Sequence, residues 1–161
     1  MNKLLEKYKI TGDGSNQAEK WTKLCKMEEL SEKFIRDYKD FVNWIVISAN
    51  QKFSESFIEE FSDKLDWGSI CKSQTLSEKF IEKHLDKVDW NRISTFQTLD
   101  EDFIRKYADK VNWKYISTFQ TLSDSFVEEF KDKLDVKLIK MQKKLSGKFK
   151  EDYIKRLRQK Y

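Results

Sequence analysis

The sequence predicts an all-α chain, an α-solenoid of short helix-turn-helix repeats with a period of 23 residues. Three observations predict it. Tryptophans fall at 21, 44, 67, 90 and 113, a constant step of 23, and such internal periodicity decides the architecture before any local reading. Proline is absent and the 161 residues include only four glycines, so little interrupts a helix. Charged residues of both signs make up 37% of the chain beside 14% aromatics, the balance of a solvated helical surface over a substantial core.

Residues 1–17 read as an N-terminal cap helix and linker, with Gly12 and Gly14 in the break. Residues 18–144 hold five to six copies of the repeat, and 145–161 a basic C-terminal capping helix. Within the repeats, Leu30, Phe53, Leu76, Leu99, Leu122 and Leu145 open the units. Phe34, Phe57, Phe80, Phe103, Phe126 and Phe149 follow four residues later, and Ile47, Ile70, Ile93, Ile116 and Ile139 sit three after the tryptophan position. The unit Leu76–Thr98 shows the logic. Ser77 is an N-cap whose hydroxyl can accept from free amides of the first turn. Ser31, Ser54, Asp100, Ser123 and Ser146 share its place. Glu78 and Lys87 suit the two ends of the helix dipole, and Phe80, Ile81, His84 and Val88 form one apolar stripe. This spacing predicts a first helix of about eleven residues. Asp89, like Asn43, Asp66, Asn112 and Asp135, caps a second helix running from Trp90 to about Gln97.

A lone unit is unstable. Each buried apolar side chain contributes about 1.5–3 kcal/mol, and a repeat offers about seven of them, against about 1–2 kcal/mol per residue of backbone ordering. Stacked neighbours that cover both flanks restore the balance.

The pattern Leu-Ser-Glu-x-Phe-Ile, then Asp-Lys-Val-Asp-Trp, then Ile-Ser and Gln, is carried by Leu76–Ile81 and Asp86–Trp90. It resembles tandem repeats of uncharacterised giant-virus, phage and bacterial proteins. The likeness covers roughly Trp21 to Leu157, and departs at Val136, where Trp is expected, and in the degenerate final unit. The resemblance implies a viral or mobile-element origin and brings no catalytic residue with it. By analogy it implies a host protein as partner and a host-defence inhibitor of the anti-CRISPR type.

The polar residues that carry chemistry elsewhere have structural uses here. The tryptophans share a face with the Ile93-type residues and read as anchors between repeats rather than a stacking ladder. Cys25 and Cys71 occupy the small-residue place of Ser48, Ser94 and Ser117. They stand two repeats apart, too far for a disulfide. His84, the only histidine, replaces Tyr38, Phe61, Tyr107 and Phe130 in the first-helix stripe. With no second histidine the usual zinc and nucleophile–base sets lack a component. No catalytic site, metal or cofactor is expected. Gln51, Gln74, Gln97 and Gln120 form a polar row that reads as a ladder tying helix ends to the next turn.

Function is sought at the positions that vary. The second and sixth residues after each tryptophan read Val46/Asn50, Ser69/Ser73, Arg92/Phe96, Tyr115/Phe119 and Leu138/Gln142. Arg92, Phe96, Tyr115, Phe119 and Leu138 on adjacent repeats have the composition of interface anchors and are the candidate protein-binding residues. The alternative is that this face contacts the next repeat. The second functional reading is electrostatic. Residues 137–161 carry ten Lys or Arg against two acids, leaving −4 on residues 1–136 of a chain with net charge +4. Lys143, Lys144, Lys148, Lys150, Lys155, Arg156, Arg158 and Lys160 are the candidate nucleic-acid contacts, with a solvated capping helix as the plain alternative. No apolar run approaches the ~20 residues of a membrane span, and the expected compartment is the cytoplasm of the cell itself or of an infected host. The sequence thus points to a non-enzymatic binding module whose oligomeric state it leaves open.

Overall fold

The computed structural model describes residues 2–11, 17–144, 155, 156 and 159, without the side chains of Gln142 and Lys144. Among the described residues there are twelve named helices and no strand. They are α1 (Lys3–Lys7), α2 (Ala18–Met27), α3 (Glu32–Asp37), α4 (Trp44–Asn50), α5 (Glu55–Glu60), α6 (Trp67–Ser73), α7 (Glu78–Lys83), α8 (Trp90–Phe96), α9 (Glu101–Lys106), α10 (Trp113–Phe119), α11 (Asp124–Glu129) and α12 (Val136–Lys144). From α3 onward, odd-numbered helices are the first of each repeat and even-numbered ones the second. The chain divides between Gln74 and Thr75 into two units. In the first, α4 packs against α2 and α6; in the second, α10 packs against α8 and α12. Within each unit the predicted solenoid-like stacking of helical hairpins is observed.

The caps stand where the spacing puts them. Ser31, Ser54, Ser77, Asp100 and Ser123 each accept from the N–H three residues on. Asn43, Asp66, Asp89, Asn112 and Asp135 do the same for the second helices. Ser146 lies outside the described residues. The first helices are shorter than expected: six residues instead of about eleven. The stripe aromatic is itself the C-cap. At His84 the backbone leaves the helix (φ −124°, ψ 37°), and its carbonyl then accepts from both Lys87 and Val88 N–H. Tyr38, Phe61, Tyr107 and Phe130 end their helices the same way. An Asp follows two residues later in each copy, a residue that favours turns. Lys87 therefore lies in this turn, not in the helix.

Apolar packing is equally regular. Ile35, Ile47, Ile58, Ile70, Ile81, Ile93, Ile104 and Ile116 are all 0% exposed. Trp21 is buried, but Trp44, Trp67, Trp90 and Trp113 are only half-buried. Each indole has a polar tip to satisfy: Trp44, Trp67 and Trp113 donate Nε1–H to the carbonyls of Lys39, Ser62 and Ala108 in the preceding turn. The rings of Trp44 and Trp113 reach forward to the aromatic C-cap of the next repeat, with centroids 4.9 Å apart for Trp44–Phe61 and Trp113–Phe130. Lys64 and Lys133 cover the outer faces of these two indoles. The tryptophans are thus inter-repeat anchors at the rim of the core.

Three side-chain ladders join one repeat to the next. In the first, Gln51 donates Nε2–H to the carbonyls of Cys25 (2.9 Å) and Glu28 (2.7 Å) and accepts from Leu30 N–H (2.8 Å). Gln120 repeats this with Ser94, Gln97 and Leu99 at 3.0, 2.8 and 3.2 Å. Gln74 takes the carbonyl of Gln51 and the N–H of Phe53, and Gln97 accepts from Leu76 N–H. Gln51, Gln74 and Gln120 close the open carbonyl end of the preceding second helix and fix the extended link that follows it. The second ladder is the serine. Ser48, Ser94 and Ser117 donate to the carbonyls of Trp44, Trp90 and Trp113 and accept from the N–H of Asp66, Asn112 and Asp135 in the next repeat. The third is the acid opening each first helix: Glu32, Glu78 and Glu101 accept from the N–H of Ser54, Asp100 and Ser123 at 2.6–2.7 Å. This acid was expected only as a dipole partner. Its position one residue after the cap, recurring every 23 residues, is the signal that could have revealed the bond.

Gln120→Ala strips partners from two carbonyls and one N–H in the interior. It should destabilise the chain by about 3 kcal/mol, read as a lower urea midpoint with the helical circular dichroism otherwise retained.

Candidate partner-binding surface

With the constant positions occupied by the ladders, departures from the repeat are where a function can reside. Several are structural substitutions. Cys25 and Cys71 are buried in the serine place. Burial pushes the Cys25 thiol above its ordinary range, offset in part by hydrogen bonding with the Asn43 backbone. His84 is buried and packs on Phe80 at 4.5 Å, as its aromatic equivalents pack on theirs. At the glutamine place the first copy has Glu28 and the last Lys143. Glu28 accepts from Lys7 Nζ (2.7 Å) and Tyr8 Oη (2.5 Å), tying α1 to α2. Those two hydrogen bonds hold its carboxyl below the usual range. The cleft of about 570 Å³ that it borders is lined by Lys7, Lys9, Lys20 and Lys23. In α12 Lys140 also replaces the serine and Val136 the tryptophan, and with no glutamine C-cap the helix runs on to Lys144.

One departure brings two acids together. Asp100 stands where the other first helices have a serine cap, and its N–H donates to Glu78 at 2.7 Å. Burial raises the Glu78 carboxyl above its ordinary range, and the nearby Asp100 charge adds to this. In the equivalent pair burial also opposes ionisation of Glu32, but the hydrogen bonds from Ser54 and the charge of Arg36 bring that carboxyl below its range. Among the described residues no group of three or more His, Cys, Asp or Glu is placed to hold a metal ion.

The variable row lies on α8, α10 and α12. Arg92 is half-buried and pairs with Asp89, its own helix cap, at 3.0 Å. Phe96, Tyr115 and Leu138 are half-buried, and Tyr115 and Phe119 tilt together with centroids 6.2 Å apart. Phe119 is only 7% exposed. It belongs to the packing of the second helices, so the partly accessible part of the row is Arg92, Phe96, Tyr115 and Leu138. The equivalent places in the first unit hold small or polar Asn50, Ser69 and Ser73 and the aliphatic Val46. The exposed Ile45 of α4, 71% accessible, lies one residue off that row.

Of the basic residues, Lys143 is exposed and paired with Asp124. Lys155 and Arg156 are helical and exposed. The Lys144 side chain, Lys148, Lys150, Arg158 and Lys160 lie outside the described residues. No helix among the described residues is long and apolar enough to cross a membrane. No protein-family model, curated protein or solved structure matches the chain.

Asp100→Ser should raise stability by about 1 kcal/mol near neutral pH, as other repeat-consensus changes do. Because the Glu78 carboxyl is raised in the fold, the native state binds that proton more tightly than the unfolded chain. Its stability penalty is fully present above the folded pKa and relieved as pH falls through it. The gain over wild type should therefore shrink on acidification, measured by urea unfolding at a series of pH values. Both thiols should resist a thiol reagent until the chain unfolds.

Proposed function

We propose that this chain is a non-catalytic protein-binding module that grips its partner through the second-helix face of the unit beginning at Thr75. One observation carries the reading. Arg92, Phe96, Tyr115 and Leu138 occupy places that none of the three inter-repeat ladders uses, on helices that pack side by side, and they remain partly accessible. Aromatic, arginine and aliphatic side chains clustered in this way are what interface cores are made of. The resemblance to viral and phage repeats supports a host protein as partner, a component of a bacterial defence complex such as a CRISPR effector, met in the cytoplasm of an infected cell.

A second reading rests on α12, where Lys137, Lys140 and Lys143 are all exposed. Under it the basic C-terminal region holds nucleic acid by counterion release. Affinity for DNA or RNA would then fall steeply with salt and be lost with residues 145–161.

The first reading is tested with Arg92→Ala combined with Tyr115→Ala, which spares the buried Phe119. The double variant should melt within about 4 °C of wild type. In affinity capture from host lysate it should lose a protein that the wild type retains. Equal retention by the folded variant would remove this face as the binding site.

A further inference from the structure

Charge is segregated between the two helices of each repeat in the second unit. α7, α9 and α11 carry seven acids, whereas α8, α10 and α12 carry none and hold six cations. On the first helices Arg105 pairs with Glu129, Asp102 and Glu101, and Lys106 with Glu82. On the second helices Lys114, Lys137 and Lys140 are exposed and form no ion pair among the described residues. Lys114 and Lys137 occupy the same register of successive repeats, next in sequence to Tyr115 and Leu138.

From this we infer that the face fits an acidic, amphipathic protein segment; the inference rests on the binding face proposed above and names the chemistry of its partner. Helices packed side by side lie about 8–10 Å apart, so Lys114 and Lys137 present positive charge at that interval. Carboxylates at i and i+7 of a partner helix are separated by about 10 Å along its axis and match it. The apolar groups on the same two helices, Tyr115, Leu138 and Met141, call for apolar side chains beside those carboxylates. A single-stranded nucleic acid fits less well. Base stacking needs open ring faces, yet Phe119 is buried and Phe96 and Tyr115 are half-buried. A phosphate backbone also offers nothing to Leu138 and Met141.

The test uses the full chain and four probes in fluorescence anisotropy at about 0.15 M salt. They are a helical peptide of about 20 residues with Glu at i, i+7 and i+14 on a Leu-bearing face, a permuted peptide of the same composition, its Glu→Gln counterpart, and oligo-dT. The spaced-Glu peptide should bind about tenfold or more tighter than either control peptide and tighter than oligo-dT. Lys114→Glu with Lys137→Glu should abolish that preference, and Lys79→Glu on α7 should leave it intact. Equal binding of the spaced and permuted peptides, absence of binding, or indifference to the double charge reversal would overturn the inference. So would tighter binding of oligo-dT that the reversal removes, which would assign the face to nucleic acid. The two readings fail separately. If Arg92→Ala/Tyr115→Ala loses the captured protein but the lysine reversal keeps it, the face stands and its acidic partner does not.

Discussion

The fold depends on one exchange: a glutamine side chain satisfies the backbone that the preceding helix leaves open. A helix of seven residues ends with most of its carbonyls unpaired relative to its length. Chains commonly resolve such ends with glycine in a left-handed C-cap, or by a proline-marked exit. This chain has no proline and almost no glycine, yet it ends a second helix in every copy. Gln51 and Gln120 show how: the side chain of one repeat is the terminator of the one before it. Buried amides used in this way make neighbouring repeats conditional on each other, because removing one rung orphans groups in the interior of another. The serine and glutamate ladders run the other way at the N-terminal ends, giving both N-caps of a repeat partners supplied by its predecessor.

Much of this was legible in the sequence because the period multiplies weak local signals. A single serine before an acid is a modest N-cap cue; the same cue at Ser31, Ser54, Ser77 and Ser123 is a register. The glutamine row was legible for the same reason, since a polar residue recurring beside buried isoleucines needs a partner. What was not legible is what the period cannot encode. The early end of the first helices follows from backbone torsions at the aromatic C-caps, and apolar spacing continues through the turn as though it were helix. Phe119 and Tyr115 have the same kind of side chain but different burial, and which ring is covered is decided by packing between helices rather than by either one.

The candidate surface was legible as composition and incompletely as geometry. Variation at two positions per repeat marked Arg92, Phe96, Tyr115 and Leu138, and they do lie on adjacent packed helices. The sequence placed Phe119 in the same set because helical spacing assigns direction, not cover. The segregation of acids onto first helices was present in the residues throughout. It becomes meaningful only when the helices of alternate hairpin arms are seen to form separate surfaces.

The terminal rungs give the array a polarity that its interior lacks. Every interior rung is a neutral amide able to both donate and accept, whereas the first copy has Glu28 and the last Lys143. A carboxylate cannot donate to the carbonyls an amide would reach, and an ammonium cannot accept from the linking N–H. Insertion of whole copies is therefore chemically permitted inside the amide stretch. The inter-repeat bonds are written in fixed chain offsets, such as 21 and 23 residues for Gln51, Gln74 and Gln120. A copy inserted within that stretch would find its partners at the same offsets.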